Sequence, residues 1–171
     1  MINKAPIEAG AFYSAVADII GNRTPIKADC GKLYGKKCCA VTDEITGMYL
    51  FPFEEKRYAA VARWAKIYDT DFRYSGGKRA DLFTCNGYCD RHLRPIACMI
   101  FPLVPFRKRG EEMKIITDPR GKGICPLALL DPDELDRDFV KAVHSAMKLL
   151  MLNDECREFI YSLSELISEE L

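Results

Sequence analysis

The clearest periodicity lies in the last quarter of the chain. Leu135, Phe139, Val143, Met147 and Leu150 recur at helical spacing and predict an amphipathic helix. Asp131 is placed to cap it, with Pro132 at the first position and Glu134 after it. Cys156, Phe159, Ile160, Leu163, Leu166 and Ile167 mark a second helix, capped by Asn153. Residues 131–171 therefore read as an antiparallel helical hairpin packed on the rest. A further stripe, Tyr58, Val61, Ala62, Ala65 and Tyr68, predicts a helix from about Glu54 to Tyr68. Another helix is expected from about Pro6 to Ile20, with Gly21 as its stop.

Strand signals are shorter. DFRYSGGKRADLF, from Asp71, reads as two extended pieces around a Gly-Gly turn. PLVPFRKRGEEMKIITD, from Pro102, reads as two strands around a turn near Gly110. Pro102 and Pro105 confine the first of these to a short or edge role, because proline cannot donate to a ladder. Asn22 to Gly47 shows little periodicity and is rich in Gly, Lys and polar residues. An irregular stretch of this length inside one domain points to function. The expected architecture is a single domain over residues 1–171. Its class is α+β, mostly helical, with long cysteine-bearing loops converging on a metal site and a C-terminal helical hairpin.

Charge changes this picture little. The 25 basic and 25 acidic residues cancel, so no global field draws the chain to nucleic acid or to an anionic membrane. The basic run Arg107-Lys108-Arg109 reads as a solvated hairpin tip. The most apolar run, Ala97 to Phe106, contains two prolines and is too short to span a bilayer. The opening residues do not read as an export signal, which makes a cytoplasmic protein with reduced thiols the expectation.

Cysteine usage changes the picture most. Of 8 cysteines, Cys156 falls on the apolar stripe of the last helix and reads as a small core hydrophobe. Cys30, Cys38, Cys39, Cys85, Cys89, Cys98 and Cys125 stand in loops or at element edges beside Gly, Pro, Lys or Arg. That company suits a thiolate. Glycine turns aim backbone N–H groups at sulfur, and nearby cations favour ionisation. Metal binding completes the deprotonation. By residue type, four thiolates suit a structural zinc and an iron–sulfur cluster equally well. The spacing C-x7-C-C, C-x3-C-x8-C and a distant C-P is not that of a zinc ribbon. Seven ligands exceed one four-ligand site and fall one short of two. His92 is the available eighth, and beside Arg91 and Arg94 it also reads as a residue that organises the loop.

The order DCGK…KKCC, a helix rich in charge and alanine, C…C…RP..C..FP, and then CP resembles the YkgJ-like cysteine-cluster family. That family is a zinc- or iron-chelating domain, distantly similar to flagellin N-methylase. The resemblance covers about residues 29–126. It implies that the seven loop cysteines are the metal ligands, and that Arg94 and Pro95 shape the loop delivering Cys98. Tyr34 stands where the family tends to carry a further cysteine, and Met99 where it tends to carry arginine. The expected function is a metal-binding protein holding zinc or an iron–sulfur cluster. The alternative is an iron–sulfur-dependent protein-lysine methyltransferase-like enzyme, for which Gly76-Gly77 and Gly121/Gly123 offer turns rather than a cofactor loop. A third reading makes the C-terminal helices, with Leu166, Ile167 and Leu171, a surface for a protein partner.

Overall fold

A computed structural model describes residues 9–39, 46–58, 64–87, 89 and 93–171. Two small antiparallel sheets stand among helices. The first helix, α1 (Ala9–Ile20), buries Tyr13, Val16 and Ile20 on one face and ends at Gly21, whose φ of 58° suits a residue without Cβ. A single turn, α2 (Cys30–Leu33), follows, and then a 3-10 turn over Lys37–Cys39. Strand β1 (Met48–Tyr49) leads to a 3-10 turn over Glu54–Arg57. Strands β2 (Ala65–Tyr74) and β3 (Lys78–Cys85) form a hairpin, with β3 in the middle of the sheet. Helix α3 (Ile96–Ile100) precedes the second hairpin, β4 (Leu103–Phe106) with β5 (Lys114–Thr117). Helices α4 (Arg137–Leu150) and α5 (Asp154–Ser168) close the described chain.

The expected class, α+β and mostly helical, needs correction. Among the described residues the fold is mixed: two of the five α-helices are only 4 and 5 residues long, and they stand beside two sheets. The largest single error is the helix expected from Glu54 to Tyr68. Glu54–Arg57 is a 3-10 turn, residues 59–63 lie outside the described residues, and Ala65 onward is strand. The reason is a competing period. Tyr68, Thr70, Phe72 and Tyr74 alternate with exposed Asp69, Asp71 and Arg73. Ser75, Gly76 and Gly77 all take positive φ and fold β2 back onto β3, which pair from Ala65↔Cys85 to Asp69↔Asp81 and, after a register shift, at Arg73↔Arg79 and Tyr74↔Lys78. Pairing with β3 at seven positions outweighs a helical stripe of five apolar positions.

The C-terminal helices form as expected, with a shifted start for the first. Asp131 and Pro132 open a separate 3-10 turn, in which the Glu134 carboxylate accepts the Asp131 N–H at 2.8 Å. The cap of α4 is Asp136, which accepts the N–H groups of Asp138 and Phe139. Asn153 caps α5 by accepting from Glu155 and Cys156. Helix α4 packs chiefly on α1, with Ala142 and Ala146 buried, while α5 lies on β4 and β2. Ile167 is buried in the chain's own core and Leu166 packs against it, leaving Leu171 exposed.

The expected hairpin between Pro102 and Asp118 is present, and β4 is confined to 4 residues in a two-stranded sheet. Its basic tip is engaged by α5. Arg109 pairs with Glu158, and the Arg107 and Arg109 guanidinium groups lie 5.6 and 4.6 Å from the Tyr161 ring centre. The main core joins α1, α3, β4, α4 and α5. A second, smaller one holds Leu50, Tyr58 and Phe83, with Trp64, Cys85 and Leu93 against it. Close contact ties β1 to β3: a Cβ at Gly47 would stand 2.2 Å from the Phe83 carbonyl oxygen, so only glycine fits. Among the described residues no helix is long and apolar enough to cross a membrane.

Candidate functional site

Three segments of the chain carry the seven loop cysteines. Cys30 begins α2, whose cap is Asp29, accepting the Lys32 N–H at 3.2 Å. The N–H of Gly31 turns toward the Cys30 sulfur. Gly35 and Lys36 take left-handed backbone with φ of 63° and 54°, and swing the chain into the turn carrying Cys38 and Cys39. Left-handed backbone at a lysine is uncommon. The Lys36 N–H bonds to the Gly31 carbonyl at 2.8 Å, which closes the loop on itself.

Cys85 ends β3, and Gly87, at φ 86°, directs its N–H to the Cys85 sulfur. Cys89 accepts a hydrogen bond from Arg94 Nε at 3.4 Å. Cys98 is the third residue of α3. Cys125 follows a tight turn, with its N–H bonded to the Gly121 carbonyl at 2.8 Å. Gly121 lets that turn press on α3's end: a Cβ there would meet the Phe101 ring at 2.9 Å and Ala128 Cβ at 3.1 Å.

The electrostatics link all seven thiols. Burial pushes the Cys30 thiol up, and the neighbouring Cys125 and Asp29 add to the effect. The Cys38 thiol is raised far up by the hydrogen bond it makes with Cys39, by burial, and by Cys39, Cys30 and Cys125. Its Sγ lies 4.0 Å from that of Cys39. Cys39 is the exception: the same hydrogen bond, with Arg94 and Lys36, holds it at about 6 against the effect of burial. Burial raises Cys85, helped by Cys39 and Cys89. Cys98 is pushed well up by burial and by Cys39 and Cys89, although its side chain keeps some contact with solvent. Arg94 works against the rise at Cys30, Cys85 and Cys98 and is the shared cation of the site.

The thiols share one field without forming a closed ligand shell. Among the described residues no three His, Cys, Asp or Glu side chains form a group that could hold a metal ion. His92 lies outside the described residues. Cys156 is buried in the core with its sulfur 3.5 Å from the Tyr13 hydroxyl, as its place on the apolar stripe predicts. Two surface hollows of about 250 and 370 Å³ lie elsewhere, one against Phe53, Tyr74 and Glu155, the other against Arg107, Arg109 and Tyr161.

Sequence reading missed the wall behind the thiols. Glu54, Arg57 and Tyr58 lie on one short segment. Glu54 is fully buried, at 0% exposure, and Tyr58 is 5% exposed. The Tyr58 ring packs against Phe83 at a tilt, with ring centres 4.8 Å apart, and its hydroxyl has no hydrogen-bond partner among the described residues. Burial raises the Tyr58 hydroxyl above its ordinary range, with Glu54, Cys98 and Cys89 adding to the rise. The one sequence signal was a carboxylate directly after the apolar run Tyr49-Leu50-Phe51-Pro52-Phe53. A buried hydroxyl without a partner costs about 1–3 kcal/mol. Tyr58→Phe in metal-free protein is therefore expected to raise stability by about that amount, read from the denaturation midpoint. A loss instead would show that the hydroxyl is bonded in solution.

Compared with known proteins, the chain matches no family model, no curated protein and no solved structure.

Proposed function

We propose that this chain is a metal-binding protein of the YkgJ-like kind, working in a reducing compartment such as the cytoplasm. Cys30, Cys38, Cys39, Cys85, Cys89, Cys98 and Cys125 supply the ligands for zinc or an iron–sulfur cluster. One observation carries this reading. Cys30, Cys38, Cys39, Cys85 and Cys98, from segments far apart in sequence, are shifted by one another or by the neighbouring Cys89 and Cys125, around one arginine that counters the rise. A set of ordinary free thiols has no reason to gather, because each raises the cost of ionising the next. A bound cation removes that cost.

The donor set fits such a group. It offers only soft sulfur, with N–H donors from Gly31 and Gly87 and the Arg94 Nε–H to share the thiolate charge. When bound, the metal supplies positive charge, and in the case of a cluster an electron-transfer centre. Ligation draws the thiols inward from their present spacing, as loops that fold around their metal do.

The test is metal and sulfide content, with the visible spectrum, of protein purified without oxygen. Brown protein with iron and sulfide identifies a cluster, and colourless protein with zinc identifies a zinc site. Uptake at neutral pH is expected to release protons, since Cys30, Cys38, Cys85 and Cys98 are held above the ordinary thiol range. Cys98→Ser is expected to weaken binding beyond the roughly 10–100-fold typical of an outer-shell change. Metal-free protein with seven freely reactive thiols and an unchanged fold would sink the proposal.

A further inference from the structure

We infer that Glu54 is a positioning residue of the thiol site: a buried carboxylate that sets Cys98 by gripping the first turn of α3. This rests on reading the loop cysteines as ligands. Glu54 Oε1 accepts the Ile96 N–H at 2.8 Å and Arg57 Nη1 at 3.3 Å, and Oε2 accepts the Phe51 N–H at 3.2 Å. Ile96 is the first residue of α3 and Cys98 the third, on the same helical turn.

Helix α3 cannot hold itself in place. It has only 5 residues, and its N-cap position is Pro95, whose side chain makes no capping bond. A helix this short is unstable alone. Glu54 supplies the missing cap from 42 residues earlier in the chain. A buried carboxylate is costly, and an apolar side chain of similar volume would serve a plain core as well or better. What an apolar side chain cannot do is accept two backbone N–H groups from different segments at once. Both oxygens face donors, and a carboxyl oxygen can accept an N–H with or without the group's proton, whereas the amide of glutamine would turn its NH2 toward one of them. Glu54 thereby joins the Phe51 loop to α3 and fixes the height of Cys98 above the core.

The test uses the full chain under anaerobic conditions as wild type, Glu54→Gln and Tyr13→Phe. Tyr13→Phe removes the buried bond from the Tyr13 hydroxyl to the Pro52 carbonyl at 2.6 Å, next to the same loop but with no hydrogen bond to α3. Two quantities are read: binding of cobalt(II), with its thiolate-to-metal and ligand-field bands, and the alkylation rate of Cys98 relative to Cys125 in metal-free protein. Glu54→Gln is expected to weaken cobalt binding roughly 10–100-fold, shift the ligand-field bands and speed Cys98 alkylation selectively. Tyr13→Phe is expected to change neither. Equal effects of the two variants, or none from Glu54→Gln, overturn the inference. If wild type binds no cobalt, the ligand reading fails, and the alkylation ratio alone decides the positioning role. Should Glu54→Gln not fold, Glu54→Asp takes its place. It keeps the charge but withdraws one oxygen, and the same comparison with Tyr13→Phe applies.

Discussion

Replacing Phe159 with alanine is expected to cost about 3–5 kcal/mol of stability, the range for deleting a large buried aromatic side chain. Phe159 is 1% exposed. Its ring lies 5.3 Å from Phe51, 5.5 Å from Phe72 and 5.3 Å from Tyr74. It is the point where α5 meets strand β2 and the loop before Glu54. No small shift refills that space, because its neighbours belong to separate elements. A loss of this size is a large part of the roughly 5–15 kcal/mol that holds an ordinary domain. Denaturant unfolding should show a lower midpoint with an unchanged slope. Phe51 also donates its N–H to Glu54, so the variant should loosen the grip on α3 and weaken metal uptake. A loss under about 1 kcal/mol would mean that the aromatic junction is not packed as described.

The second large effect concerns pH. Burial pushes the Glu54 carboxyl from its ordinary 4.5 up to about 7, against the opposing donors Ile96, Arg57 and Phe51. The folded chain therefore holds a proton that the unfolded chain has released. Between about pH 4.5 and pH 7 the folded state binds more protons, so stability falls as pH rises. The full contribution is present below the unfolded value and is lost as pH climbs through the folded one. Its size is on the order of 3 kcal/mol. Arg57, Tyr58, Tyr13, Cys156 and Cys98 are the ionisable groups that share its surroundings. Cys39, held at about 6, acts oppositely above that value. The measurement is thus the difference between wild type and Glu54→Gln in metal-free protein across this window. Wild type should lose stability relative to the variant as pH rises. Parallel curves would show that Glu54 stays ionised throughout, with its three donors outweighing burial.

The two effects bear on the site through the same segment. Phe51 anchors the loop in the core, Glu54 carries that anchorage to α3, and Cys98 rides on α3 toward Cys39 and Cys89. Core packing and thiol placement are therefore linked by two backbone hydrogen bonds to one carboxylate.

Much of this was legible from order along the chain. The helix ending at Gly21, the stripes of α4 and α5, the cap at Asn153 and both hairpins follow from local rules, because their signals lie within a few residues of the bonds they make. So does the sorting of Cys156 from the seven loop cysteines, since a core thiol shares its helix stripe with apolar neighbours. The rest depended on contacts between distant residues. Whether Ala65 to Tyr68 is helix or strand was settled by Leu82 to Cys85 pairing alongside. The packing of α4 was settled by α1, from the other end of the chain. Glu54 looked like the start of a surface helix, and nothing near it in sequence announces Ile96 as its partner. Hydrophobic period and capping chemistry are short-range and are written in the sequence. Which face meets which, and which buried carboxylate holds a thiol in place, are decided only when the chain closes on itself.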